Sequence, residues 1–150
     1  MFIREAKTSD TPSLLDFQLK MALETENIQL EIRTLSQGLN RLFKDPTKGK
    51  YYVAEEGVEI VGCLMTTSEW SDWRCGTILW IQSVYVPFPW RHNGVYRKMY
   101  EHIQSLVSQD PDLKGIRLYV DKKNQAAQHT YSTLGMNGEH YSVFEWMKEL

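Results

Sequence analysis

Ile78-Leu79-Trp80-Ile81-Gln82-Ser83-Val84-Tyr85-Val86-Pro87-Phe88-Pro89-Trp90-Arg91-His92-Asn93-Gly94-Val95-Tyr96-Arg97 is the stretch that decides the fold. Its first nine residues are mostly β-branched, aliphatic or aromatic and favour an extended chain. Pro87 and Pro89 end that strand, because proline cannot donate to a sheet ladder. Asn93 is a candidate cap for a following helix, and Gly94 lets another molecule approach the backbone closely. Val95, Met99, Ile103 and Leu106 recur at helical spacing and give that helix a buried stripe. The first amides of a helix have no internal partner and carry the positive end of its dipole. A strand that feeds a glycine loop and a helix N-terminus is therefore a site for a phosphate or pyrophosphate.

Outward from this stretch the chain reads as follows. Phe2 to Ala6 is a short first strand, and Ser9 or Asp10 can cap the next helix, with Pro12 in its first turn. Leu14, Leu15, Phe17, Met21 and Ala22 supply its apolar positions. A second helical pattern runs from Ile28 to Phe43, and Asp45-Pro46-Thr47-Lys48-Gly49 breaks it. Tyr51 to Glu55 and Glu59 to Thr67 form a hairpin about Glu56-Gly57. Glu69 to Gly76 joins that hairpin to the central strand. Beyond the helix that starts at Gly94, Lys114-Gly115 turns the chain into a strand from Ile116 to Val120. Asn124 to Leu134 is helical, Gly135 is a left-handed stop, and Tyr141 to Met147 alternates as a last strand. The order β-α-α-β-β-β-α-β-α-β places a right-handed parallel crossover after three antiparallel strands. No repeat, linker or low-complexity segment interrupts it, so residues 1–150 are expected to form one domain.

Two blocks resemble the GNAT N-acetyltransferase superfamily. Val84-x-Val86-Pro87 followed by Arg91-x-x-Gly94-Val95 resembles its acetyl-CoA pyrophosphate loop. Asn124-x-x-Ala127-x-x-x-Tyr131-x-x-x-Gly135-Met136 resembles its second signature, in the right order and at a matching distance. The resemblance implies a mixed α/β fold: a mostly antiparallel sheet with one parallel β-α-β crossover and flanking helices. It implies a pyrophosphate on the amides of His92, Asn93, Gly94, Val95, Tyr96 and Arg97, with the Arg91 and Arg97 side chains nearby. The pantetheine arm would lie along Val84, Tyr85 and Val86, with the Val84 N–H stabilising the oxyanion. Asn124 and Ala127 would contact the cofactor, and Tyr131 would face the leaving sulfur. Tyr96 departs from the small residue more usual there. A branch of the family with an aromatic residue after Gly-Val resembles this chain more closely.

Composition sets the remaining bounds. The chain has 150 residues, a net charge of −2 and no Lys/Arg cluster, which argues against nucleic acid as a partner. No apolar run has the length of a membrane span, and Met1 to Lys7 carries no signal-peptide core, so a cytoplasmic protein is expected. Cys63 and Cys75 form no Cys-x-x-Cys motif and are expected to be reduced thiols. His92, His102, His129 and His140 show no metal-ligand spacing, so no metal is expected.

The implied reaction moves an acetyl group from acetyl-CoA to a primary amine, on a small molecule or a peptide, by direct attack. A base then matters for amines of high pKa. The central strand holds neither an acid nor a histidine, and Gln82 there can orient but not deprotonate. Base candidates are Glu24 or Glu26 between the first helices, and Glu69 or Asp72 before the central strand. Trp70, Asp72 and Trp73 are a candidate pocket for a cationic amine, by cation–π contact and charge. Tyr141 is a further acceptor-site candidate by the resemblance, which also implies a homodimer as one assembly. The alternative reading is a non-catalytic binding module of the same fold. A classical nucleotide domain is disfavoured, since neither Gly-x-Gly-x-x-Gly nor Gly-x-x-x-x-Gly-Lys-Ser/Thr occurs.

Overall fold

Strand-forming runs of Val, Ile, Leu, Tyr and Thr build a five-stranded sheet in the first of two compact units, Met1–Arg117; the second is Leu118–Leu150. The computed structural model describes residues 1–149; Leu150, the last residue of the expected domain, lies outside them. The strands are β1 (Phe2–Glu5), β2 (Lys50–Glu56), β3 (Glu59–Ser71), β4 (Gly76–Tyr85) and β5 (Leu113–Arg117), side by side in chain order. The first four pair antiparallel, and β4 and β5 pair parallel. Three helices complete the unit: α1 (Thr11–Glu26), α2 (Ile32–Lys44) and α3 (Val95–Gln109), the last crossing from β4 to β5. This is the expected mixed, mostly antiparallel sheet with one parallel crossover and flanking helices.

The sheet is buried on both faces. Leu14 and Phe17 of α1 and Leu39 of α2 pack with Tyr51, Val53, Cys63 and Tyr85. Burying each large apolar side chain of this kind is worth about 1.5–3 kcal/mol. Val95, Met99 and Ile103 of α3 are buried as the periodicity predicts. The start of α3 sits close to the sheet because residue 62 is glycine. A Cβ there would lie 2.8 Å from Val95 Cγ1 and 3.3 Å from Met99 Cε. At the other end of α1, Arg4 of β1 makes two bonds to Asp10, of 2.8 and 2.9 Å, and one to Glu55 of 2.9 Å. Asp10 stands at the N-cap position, but its carboxylate is spent on Arg4 and the Lys7 N–H and not on the helix.

In the second unit, α4 (Gln125–Thr133) is capped by Asn124, whose Oδ1 accepts from the Ala127 N–H at 3.0 Å. Gly135, at φ +87°, ends it in the left-handed region, and the Met136 N–H bonds back to the Tyr131 carbonyl at 3.0 Å.

Four local expectations are corrected. Residues 141–147 form no strand and are exposed; their alternation builds no ladder, and propensity alone does not make a strand. The fifth strand begins at Leu113, earlier than expected, because Asp110 makes the turn and Gly115 lies within the strand opposite Ile78. Strand β3 runs on to Ser71, so its connection to β4 shrinks to residues 72–75. The cap position of α3 is held by Gly94, not Asn93, whose side-chain amide donates to the Arg91 carbonyl at 2.9 Å.

Candidate functional site

The site forms where β4 outruns its parallel partner. The β4–β5 ladder ends at Trp80 opposite Arg117, and β4 continues through Ile81–Tyr85. On the other edge, Gln82 opposes Met65 and Tyr85 opposes Cys63, so Ser83 and Val84 face Leu64 alone. This is a β-bulge, which leaves one residue outside the ladder and re-aims its neighbours. Ser83 takes φ +55°, a left-handed conformation that costs a non-glycine residue about 1–2 kcal/mol.

Buried side chains hold that strained residue. The Ser83 carbonyl accepts from Gln18 Nε2 at 3.2 Å and from Cys63 Sγ at 3.6 Å. Gln18 is only 4% exposed. Burial pushes the Cys63 thiol up to about 12, so it stays protonated and donates rather than reacts. The buried Tyr51 phenol is likewise held in its neutral form by burial. Sequence reasoning placed Ser83 in the strand and missed the bulge, because the left-handed position carries a serine where glycine would have signalled it. Nothing in the sequence singles out Gln18 among the helix residues between Phe17 and Met21.

Past the bulge the chain turns through a short 3-10 helix, Phe88–Trp90, and His92 and Gly94 both take positive φ, +65° and +75°. Gly94 brings no side chain to cap α3, so the amides of Val95, Tyr96 and Arg97 are offered to an outside acceptor. A Cβ on Gly94 would meet nothing within 4 Å, so this surface of the loop is open. The Val95 side chain is buried against the sheet. The Tyr96 ring runs along the helix and stacks on Tyr100, with ring centroids 6.2 Å apart. Arg97 is exposed.

The Arg91 side chain, which the resemblance places near the phosphates, is tied to α1 and β4. Its Nε donates to the Val86 carbonyl at 2.8 Å, and its Nη2 pairs with Glu24 at 2.6 Å. The guanidinium also lies over the Tyr85 and Phe88 rings. Glu24 accepts the Tyr85 hydroxyl at 2.9 Å as well. Arg91, followed by Tyr85, holds the Glu24 carboxyl below its ordinary range, which makes it a weak base. The cluster ties the C-terminal end of α1 to the end of β4.

A cavity of about 430 Å³ opens beside the bulge, between α2 and the sheet, with Gln18, Tyr51, Met65 and Ser83 among its walls. Gln82 opposes Met65, so the two share this face of the sheet. A larger hollow of about 590 Å³ lies at the C-terminal end of α3, near Leu106 and Gln109. That is roughly 20 Å from the first turn of the helix, at 1.5 Å per residue.

Glu69, Trp70, Asp72 and Trp73 stand apart from the bulge, toward the far end of β3 and β4. Trp70, Asp72 and Trp73 sit at the exposed tip of the β3–β4 hairpin, closed by Ser71 opposite Gly76. Ser83 is seven residues of strand from that tip, or about 23 Å. Glu69 opposes Ile78 and is committed to Trp80 Nε1 and Arg117, each at 2.8 Å. Trp80, then Arg117, holds its carboxyl below its ordinary range. Glu26 is the last residue of α1 and is exposed. Asn124, Ala127 and Tyr131 share α4 and its cap in the second unit, and Tyr141 follows in the segment without regular structure. Among the described residues, no cluster of three His, Cys, Asp or Glu could hold a metal, and no helix is long and apolar enough to cross a membrane.

Comparison with known proteins gives this geometry its context. The model of the acetyltransferase (GNAT) family matches residues 14–136. A solved structure of a possible acetyltransferase from Clostridium difficile 630 is 38% identical, over 99% of this chain and 98% of that one, with a TM-score of 0.92. A transcriptional regulator from Bacillus halodurans C-125 is 20% identical, over 97% and 99%, with a TM-score of 0.82. An aminoglycoside acetyltransferase from an uncultured soil metagenomic sample, in complex with sisomicin, is 18% identical, over 99% and 96%, with a TM-score of 0.78. At those lower identities the last two share the fold alone. No curated protein matches the chain in sequence.

Proposed function

The chain belongs to the acetyltransferase (GNAT) family, and on that premise we propose that it transfers an acetyl group from acetyl-CoA to a primary amine by direct attack in a ternary complex. The observation that carries this reading is the bulge at Ser83–Val84, in the part of β4 that has outrun β5. A strand in that state can pair with an extended ligand arm as with an added strand. In this reading the pantetheine arm lies along Val84–Val86, and the Val84 N–H donates to the carbonyl oxygen as it becomes an oxyanion. The pyrophosphate rests on the first-turn amides of α3. The open surface at Gly94 fits that load. Residues 1–150 act as one domain, with Asn124 and Ala127 at the cofactor and Tyr131 at the sulfur.

The bond changes balance simply. The amine nitrogen bonds the acetyl carbon, the carbon–sulfur bond breaks, and the thiolate takes a proton. A phenol titrates near ~10 and a thiol near ~8.5, so Tyr131 acts as a hydrogen-bond donor to the developing thiolate rather than as its full proton source. The amine also sheds a proton. Of the four candidate bases, Glu24 and Glu69 are held in ion pairs and Asp72 stands at the far hairpin tip, which leaves Glu26 or water to receive it. An amine with a pKa near ~8 is about one-tenth neutral at pH 7 and needs little help.

The ion-paired state of both acids also favours a second reading, a non-catalytic module that binds acetyl-CoA. One pair of measurements separates the two. Calorimetry should show acetyl-CoA binding to the wild type and at least tenfold weaker binding to Gly94→Glu. Acetyl-CoA-dependent thiol release with an amine identifies the enzyme. Binding without release for any amine supports the module, and equal binding to Gly94→Glu contradicts the loop assignment.

A further inference from the structure

Gly38 lies in the interior of α2, where glycine costs about 1 kcal/mol relative to alanine. Nothing in the backbone or the packing demands it. Its φ is not positive, and a Cβ there would meet no atom within 4 Å. What the missing side chain does leave is room. Gly38 lines the 430 Å³ cavity together with Leu35 and Leu42, which are three and four residues away on the same helix face. Tyr51 and Met65 add apolar wall, and Gln18 and Ser83 bring the cavity to the bulge itself. Its one carboxylate is Glu31, at the start of α2.

We infer that Gly38 is a specificity-determining residue that keeps this cavity open for the acceptor, and that the acceptor is a primary amine carrying an apolar arm. The inference rests on the acetyl transfer proposed above. An attacking nitrogen must come within about 3–3.5 Å of the acetyl carbon, so the body of the acceptor has to occupy space bordering the bulge. The cavity is that space, and its volume falls in the range of small-molecule pockets, about 300–1,000 Å³. Its walls reward burial of an apolar group. One acid can balance one ammonium and leaves further positive charges unpaired, so the same walls disfavour a polyamine or a polycationic sugar.

The test is thiol release by the wild type, Gly38→Ala and Gly38→Leu, with acetyl-CoA and three amines: 2-phenylethylamine, ethylamine and spermidine. The expected kcat/KM for 2-phenylethylamine exceeds that for each of the other two by about tenfold or more in the wild type. Gly38→Leu should erase that preference while its calorimetric Kd for acetyl-CoA stays unchanged. Gly38→Ala should raise Tm and still lower kcat/KM for 2-phenylethylamine, which separates lost room from lost fold. Equal rates for all three amines, or a preference that survives Gly38→Leu, overturn the inference. So does a Gly38→Leu enzyme that keeps its amine preference but loses the use of butyryl-CoA, since the cavity would then hold the acyl chain. Acetyl-CoA binding with no amine acetylated overturns the inference and leaves the donor site standing. No acetyl-CoA binding at all removes the proposed function together with it.

Discussion

Gln18 and Ser83, 65 residues apart in the chain, are joined by a bond of 3.2 Å from the Gln18 side-chain amide to the Ser83 carbonyl. One buried helix residue thus helps fix the bulge on which the proposed chemistry depends. Replacing it with leucine keeps the volume and removes the donor. A buried polar group that loses its partner costs about 1–3 kcal/mol. Gln18→Leu should therefore lose stability in that range by urea unfolding. It should also lower kcat more than it weakens acetyl-CoA binding, because the oxyanion donor shifts while the phosphate loop does not.

Gly62 should prove a cofactor-affinity residue although it lies on β3. A methyl group there would stand 2.8 Å from Val95 Cγ1, closer than packed atoms allow. Overpacking of this kind costs about 1–3 kcal/mol. The relief available is movement of the α3 N-terminus, which carries the amides proposed to hold the pyrophosphate. Gly62→Ala should lower Tm and raise the acetyl-CoA Kd by calorimetry.

The Arg4–Asp10 pair sets an acid limit on stability. The Arg4 guanidinium, with help from the Lys7 N–H, holds the Asp10 carboxyl below its ordinary value of 3.8. A carboxyl depressed in the folded state contributes stability in full above its unfolded pKa. That contribution fades as the pH falls through the lower, folded pKa. Unfolding free energy should therefore drop below about pH 4, and Asp10→Asn should flatten part of that drop. At neutral pH the same variant should cost about 1.5 kcal/mol, because Arg4 loses one charge-assisted pair and keeps Glu55.

Tyr131→Phe tests the proposed donor to the leaving thiolate. Removing a positioned proton donor lowers turnover by about a hundredfold where full proton transfer is at stake. A phenol acting only as a hydrogen-bond donor should cost less, roughly tenfold, with acetyl-CoA affinity little changed. An unchanged single-turnover rate contradicts the role.

How much of this was legible follows from which signals are local. The burial of Val95, Met99 and Ile103 and the stop at Gly135 rest on periodicity and turn chemistry within one element, and both appear. The strand after Lys114-Gly115 came out displaced because glycine marks a turn and a close strand contact equally well, and only the Ile78 neighbour decides between them. Tyr141 to Met147 alternates without forming a strand, since a ladder depends on a partner that the segment does not encode. The pairing of Arg91 with Glu24 was not legible, because Glu24 is 67 residues away in the chain and no local pattern announces such a pair. Trp70 and Trp73 drew attention by composition. Only the length of β4 shows that they stand at the far end from Ser83. The bulge was hidden for a similar reason, because it is defined by register against Leu64 and not by any residue of its own.

The most direct measurement is a crystal structure of the protein with acetyl-CoA. The account predicts the acetyl carbonyl oxygen about 2.9 Å from the Val84 nitrogen, with the pyrophosphate on the amides of Val95, Tyr96 and Arg97. A thioester lying away from the Ser83–Val84 bulge, or a pyrophosphate held elsewhere than the first turn of α3, would contradict it.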